Sequence, residues 1–136
     1  MPKTVSQELV RRAINVLVVD DDPFQLDLSA ELLRSLGFGA VAGVTSGDEA
    51  LQRLGDHPGH FQLTLIDLQM PGMDGFQFMQ SLTRLDYAGA LVIVSGQSED
   101  VMRGAALVAK LHRFTLLGTL PKPLERDTLA ALVAKL

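Results

Sequence analysis

Short apolar runs alternate with amphipathic stretches along this chain: Ile14 to Val19, Ala40 to Val44, Leu63 to Ile66, Ala90 to Val94 and Thr115 to Leu120. Runs this short, bounded by turn residues, read as buried strands, and the stretches between them carry apolar residues at helical spacing. Asp22-Pro23 reads as an N-cap followed by proline at the first helical position, opening a helix through Leu26, Leu28, Leu32, Leu33 and Leu36 that stops at Gly37. Ser46 caps a second helix through Leu54, with Glu49 as its capping-box partner. A third helix is predicted from Asp74-Gly75 to Leu85, a fourth from Ser98 to Arg113, and a fifth from Glu125 to the chain end. Five strands alternating with five helices predict an α/β, doubly wound, five-stranded parallel sheet.

Composition narrows this without changing it. The 136 residues suit one domain, with 47% hydrophobic and 21% charged residues. A net charge of −4 gives no reason to expect nucleic-acid contact by this domain. Cysteine is absent, which removes disulfides and thiolate metal sites. Residues 1–13 read as an N-terminal extension, polar and without the apolar core of a signal peptide, and residues 14–136 as the domain. No run approaches a membrane span, so the expected setting is cytoplasmic, with no membrane partner.

The chemistry sits where the strands end. Asp20-Asp21-Asp22 follows the first run, Asp67 the third, Ser95 the fourth, and the fifth leads through Pro121 to Lys122-Pro123. In a parallel sheet these C-terminal ends converge on one crevice. Adjacent carboxylates repel unless a cation relieves them, and Mg²⁺ prefers one or two carboxylates plus waters and phosphate oxygens. An acid pair, a lone acid, a hydroxyl and a lysine form a set suited to phosphoryl transfer. Asp22 is better explained as a helix cap than as a ligand. His57, His60 and His112 read as surface residues, and Met70, Met73, Met79 and Met102 as packing.

The order and spacing of these residues, with Leu68-Gln69-Met70-Pro71-Gly72-Met73-Asp74-Gly75 after Asp67, resemble the receiver domain of two-component response regulators from about Asn15 to Leu136. The resemblance implies a flavodoxin-like receiver fold with strand order 2-1-3-4-5. It implies Asp67 as the phosphoacceptor, and Mg²⁺ held by Asp21, Asp67 and the backbone carbonyl of Gln69, with Asp20 acting through water. Ser95, Gly96 and Lys122 would contact the phosphoryl group, and Lys122-Pro123 would be a cis peptide. Implied partners are a sensor histidine kinase or phosphotransfer protein, an output domain or partner protein, and a second copy in a homodimer. The implied role is phosphorelay signalling by a phosphoacceptor that helps its own phosphorylation and dephosphorylation, and is not otherwise an enzyme.

Two departures bear on output. Thr119 occupies the position, three before the lysine, where most receivers carry a switching aromatic residue. Ser95 and Lys122 are 122 − 95 = 27 positions apart, longer than usual, which predicts an extended fourth helix or following loop. Both fall on the helix 4, strand 5, helix 5 face that receivers use for signalling and dimerisation. The long interval and Leu116-Leu117-Gly118-Thr119-Leu120-Pro121-Lys122-Pro123 resemble receivers fused to cyclic-di-GMP phosphodiesterase domains. The rivals are weaker. A haloacid-dehalogenase phosphatase would need an acid where Gln69 stands, and a flavodoxin-type flavin module would need a Gly, Ser and Thr-rich first loop. A receiver-like domain that works without phosphorylation is the alternative of substance.

Overall fold

The computed structural model describes residues 9–70 and 72–136. Five strands, β1 (Asn15–Val19), β2 (Ala40–Val44), β3 (Leu63–Asp67), β4 (Ala90–Ser95) and β5 (Thr115–Pro121), alternate with α1 (Pro23–Ser35), α2 (Gly47–Asp56), α3 (Gly75–Arg84), α4 (Glu99–Leu111) and α5 (Arg126–Val133). All pair in parallel, in the expected order β2-β1-β3-β4-β5. β3 and β4 are buried throughout because helices cover both faces. One layer packs Leu17, Val19, Ile66 and Ile93 against α2, α3 and α4 residues such as Leu54, Phe78 and Met102. The other packs Val16, Val18, Leu65 and Val92 against Leu33 of α1 and Leu129 of α5.

The helix starts follow local chemistry. Asp22 accepts from Phe24 N–H at 3.0 Å, and Pro23 opens α1 as predicted. At α2 Ser46 accepts from Glu49 N–H, but the return bond from Glu49 is not formed, so the predicted capping box is half made. The complete box is at α3, where Asp74 and Gln77 bond each other's backbone N–H at 2.9 and 3.1 Å. α4 is shorter than predicted. Ser98 caps it from outside, His112 ends it, and Arg113 turns left-handed with φ 62°.

One residue of the extra length between Ser95 and Lys122 is an irregularity in β5. Leu91 pairs with Leu116 but Val92 pairs with Gly118, which leaves Leu117 as a bulge in β5. Leu117 packs into the α1/α5 layer, and Gly118 lies beneath Leu132 of α5. Ahead of β1, residues 9–13 are helical, and Arg11 donates to the Leu36 carbonyl at 2.8 Å with its guanidinium over Phe38. Residues 1–8 of the expected extension and Pro71 of the expected turn lie outside the described residues. Among the described residues no helix is long and apolar enough to cross a membrane.

Candidate functional site

Parallel pairing carries the ends of β1, β3, β4 and β5 to one edge, and the predicted site residues meet there. Asp20 follows β1 and is 4% exposed; Asp67 ends β3 at 6%. Lys122, just past β5, donates from Nζ to Asp20 Oδ2 at 3.0 Å and to Asp67 Oδ2 at 3.1 Å. The second oxygens are also engaged: Asp20 Oδ1 accepts from Asp22 N–H at 3.0 Å, and Asp67 Oδ1 from Gln69 N–H at 3.1 Å. Asp21 differs from both in being exposed. One carboxylate oxygen from each of Asp20, Asp21 and Asp67 falls within 4.8 Å of the others. Three hard oxygen donors at that separation suit a divalent cation such as Mg²⁺.

Burial sets the electrostatics. Desolvation pushes the Asp67 carboxyl above its usual range, outweighing the opposing pull of the Gln69 N–H and Lys122, and the charge of Asp20 adds to the rise. Burial pulls the Lys122 ammonium down, but its bonds to Asp20 and Asp67 outweigh that and leave it raised. The two directions agree with the geometry. Lys122 has two carboxylates to compensate one charge, whereas Asp67 must share one ammonium with Asp20.

Ser95 is 1% exposed at the end of β4, and its hydroxyl accepts from Gln97 N–H at 3.0 Å. Its carbonyl accepts from Lys122 N–H at 3.0 Å, which ties the β4 and β5 ends together. Gly96, next after Ser95, and Gln69, two after Asp67, are exposed, and a methyl at Gly96 would meet no atom within 4 Å. Lys122-Pro123 is cis. Thr119 pairs with Ile93, so it lies on the sheet face that carries α4. The sequence placed Lys122 at the phosphoryl group on Asp67 but gave no sign of its bond to Asp20; adjacency of Asp20 and Asp21 could not say which of them turns inward. His57 and His60 precede β3 and so lie at the far end of the sheet from Asp67. His112 is also outside the site, with Nδ1 3.3 Å from Thr83 Oγ1.

Comparison with known proteins follows the same lines. Residues 16–134 match the family model of the response regulator receiver domain. Among curated relatives, the two-component response regulator ARR22 of Arabidopsis thaliana is 30% identical over 98% of this chain and 91% of its own length. The cyclic di-GMP phosphodiesterase RocR of Pseudomonas aeruginosa is 31% identical over 90% of the chain, which spans only 31% of that protein. The chain likewise covers 45% of the transcriptional regulatory protein MalR of Bacillus subtilis, at 33% identity. Of solved structures, the CheX–CheY complex with BeF3 and Mg²⁺ from Borrelia burgdorferi matches with TM-score 0.78 at 22% identity, over 92% of this chain and 96% of that one. A CheY-like receiver from Methylobacillus flagellatus matches with TM-score 0.74 at 26% identity, over 90% and 97%. Sequence match, sheet order and the convergence of the strand ends agree, and the chain belongs to the receiver domain family of two-component response regulators.

Proposed function

We propose that this domain accepts a phosphoryl group on Asp67 from the phosphohistidine of a sensor kinase or phosphotransfer protein, and that the charge so added switches an output domain or partner. The observation that carries the reading is the pairing of one ammonium, Lys122, with two buried carboxylates, Asp20 and Asp67, beside a third, Asp21. A carboxylate oxygen of Asp67 attacks phosphorus, the P–N bond breaks, and the imidazole leaves with the bonding pair. Asp21, Asp67 and the Gln69 carbonyl would hold Mg²⁺, with Asp20 through water, and the ion would neutralise charge on the transferring oxygens. Lys122 leaves its bond to Asp67 Oδ2 to meet a phosphoryl oxygen while keeping Asp20, and Ser95 turns its hydroxyl to another. Because Thr119 has no ring to turn inward, output runs through the loop after β4 and the start of α4, residues 96–103, with 112–118 repacking. The likeness to the phosphodiesterase supports an output domain of that kind, and the boundary of the extension at residue 13 is part of the same reading.

The test is intact mass after incubation with acetyl phosphate and Mg²⁺. Wild type is expected to gain one acid-labile phosphoryl group and Asp67→Asn none. Unchanged labelling of the variant would place the acceptor on another residue, and no labelling of the wild type with any donor would favour a receiver that works without phosphorylation. Backbone amide shifts with beryllofluoride check the output path: movement confined to the acidic pocket, with residues 96–118 silent, rejects it.

A further inference from the structure

The two edges of the sheet are built differently. At one edge β5 carries the Leu117 bulge and ends on Pro121, and the Leu117 carbonyl accepts from Lys135 Nζ at 2.8 Å. Bulges, prolines and lysines are the features that keep an edge strand from recruiting another. At the other edge β2 has none of them, and from Gly37 to Gly47 there is neither a charged residue nor a proline. Asp20 N–H donates to the Val44 carbonyl at 3.1 Å, so the backbone of Val44 faces β1. Backbone direction alternates along a parallel ladder, so Ala40 and Ala42 face β1 as well, and Val41 and Gly43 turn N–H and C=O outward. Of the five residues of β2 only Val44 is buried, although Leu26 of α1 lies against one face of Gly43.

We propose that β2 is a strand-addition edge at which a second copy of this chain pairs antiparallel with its own β2 about a two-fold axis. A row of outward N–H and C=O groups is complementary to another extended strand. The second copy is the occupant that the residues fit best. The strand is small and uncharged, so self-pairing opposes no like charges, and identical edges close as an isologous dimer without leaving a further edge to polymerise. With the axis at Ala42, Val41 exchanges both bonds with Gly43 of the partner subunit, and Gly43 does so with Val41 of the partner subunit. Ala42 then faces Ala42 of the partner subunit, methyl against methyl. The surface lies at the opposite edge of the sheet from α4, β5 and α5, where the sequence had placed any dimer, and it does not depend on phosphorylation.

Sedimentation of the full chain from micromolar to millimolar concentration, with amide hydrogen exchange by NMR on the same samples, tests this. A monomer–dimer equilibrium is expected, with the Val41 and Gly43 amides gaining at least tenfold protection as dimer forms while Ala42 and Val44 stay unchanged. Val41→Pro removes one outward N–H without touching the β1 ladder, and Ala42→Lys sets like charges opposite each other at the axis; both are expected to stay monomeric. Unchanged exchange of Val18 and Val44 in either variant confirms an intact fold. Leu111→Lys, on the exposed face of α4, is expected to leave the dimer in place. A wild type that stays monomeric to millimolar concentration overturns the proposal. So does a dimer whose Val41 and Gly43 amides remain unprotected, or one lost with Leu111→Lys and kept with Val41→Pro.

Discussion

Tyr87 is the chain's single tyrosine, and there is no tryptophan to obscure it. Its hydroxyl donates to the Ala90 carbonyl and accepts from the Thr64 hydroxyl, both at 3.0 Å. Burial pushes the phenol up from 10.0 to about 12, with the Thr64 bond opposing. A group whose folded pKa is raised contributes stability that is full below its unfolded value and lost as pH rises through the folded one. Tyrosinate absorbance should therefore titrate near pH 12 in the native protein and near 10 in urea, and urea midpoints should begin to fall above pH 10. A native midpoint at 10 would mean the phenol is open to water. Nothing in the sequence pointed to Tyr87, because its partners are a threonine 23 positions earlier and a backbone carbonyl. Asp22 was legible for the opposite reason: a cap is a contact between near neighbours, and Asp-Pro before an apolar period states it outright.

The start of α3 decides how the loop after Asp67 is held. Gly75 N–H donates to the Leu68 carbonyl at 2.9 Å, and a Cβ at Gly75 would come within 2.6 Å of Leu68 Cδ2 and 2.9 Å of its Cα. The second contact is backbone and cannot rotate away. Gly75→Ala is expected to cost about 1–3 kcal/mol as overpacking does, and to shift the amides of Gln69, Gly72 and Met73. Gly118→Ala is the control. Its Cβ would meet Leu132 Cδ2 at 2.6 Å, a terminal methyl that can swing aside, so its net effect should stay within about 1 kcal/mol. Equal urea midpoints for the two variants would show that the Gly75 turn is not tight. Asp74-Gly75 is readable as a helix start, but spacing alone does not show that Gln77 closes the box there while Glu49, which fits the same pattern, leaves its own open. Side-chain rotamers decide between the two, and spacing alone is silent on rotamers.

At the scale of the molecule, strand order and the meeting of Asp20, Asp21, Asp67, Ser95 and Lys122 were legible because parallel topology fixes where every strand ends. The Leu117 bulge was not, since one added residue in an apolar run leaves the pattern apolar. The same topology gathers like charge at one edge of the sheet, and that carries a stability consequence. The Asp67 carboxyl is raised, so its contribution to stability is full below the ordinary carboxylate value of 3.8 and lost as pH rises through the folded value. At neutral pH the ionised Asp67 carboxylate therefore works against folding, while the raised Lys122 ammonium works for it. Metal-free Asp67→Asn should be more stable than wild type at pH 7, because the amide needs no counter-charge and Lys122 keeps Asp20. Mg²⁺ should reverse the order. A ligand that binds only the folded state adds about 2.7 kcal/mol at a hundredfold excess over its Kd, and the variant, having lost a carboxylate from the cluster, gains less. Urea unfolding of both proteins with EDTA and with saturating Mg²⁺ measures the crossing. A wild type that is the more stable in EDTA, or equal Mg²⁺ stabilisation of the two, would show that Lys122 alone neutralises the pocket.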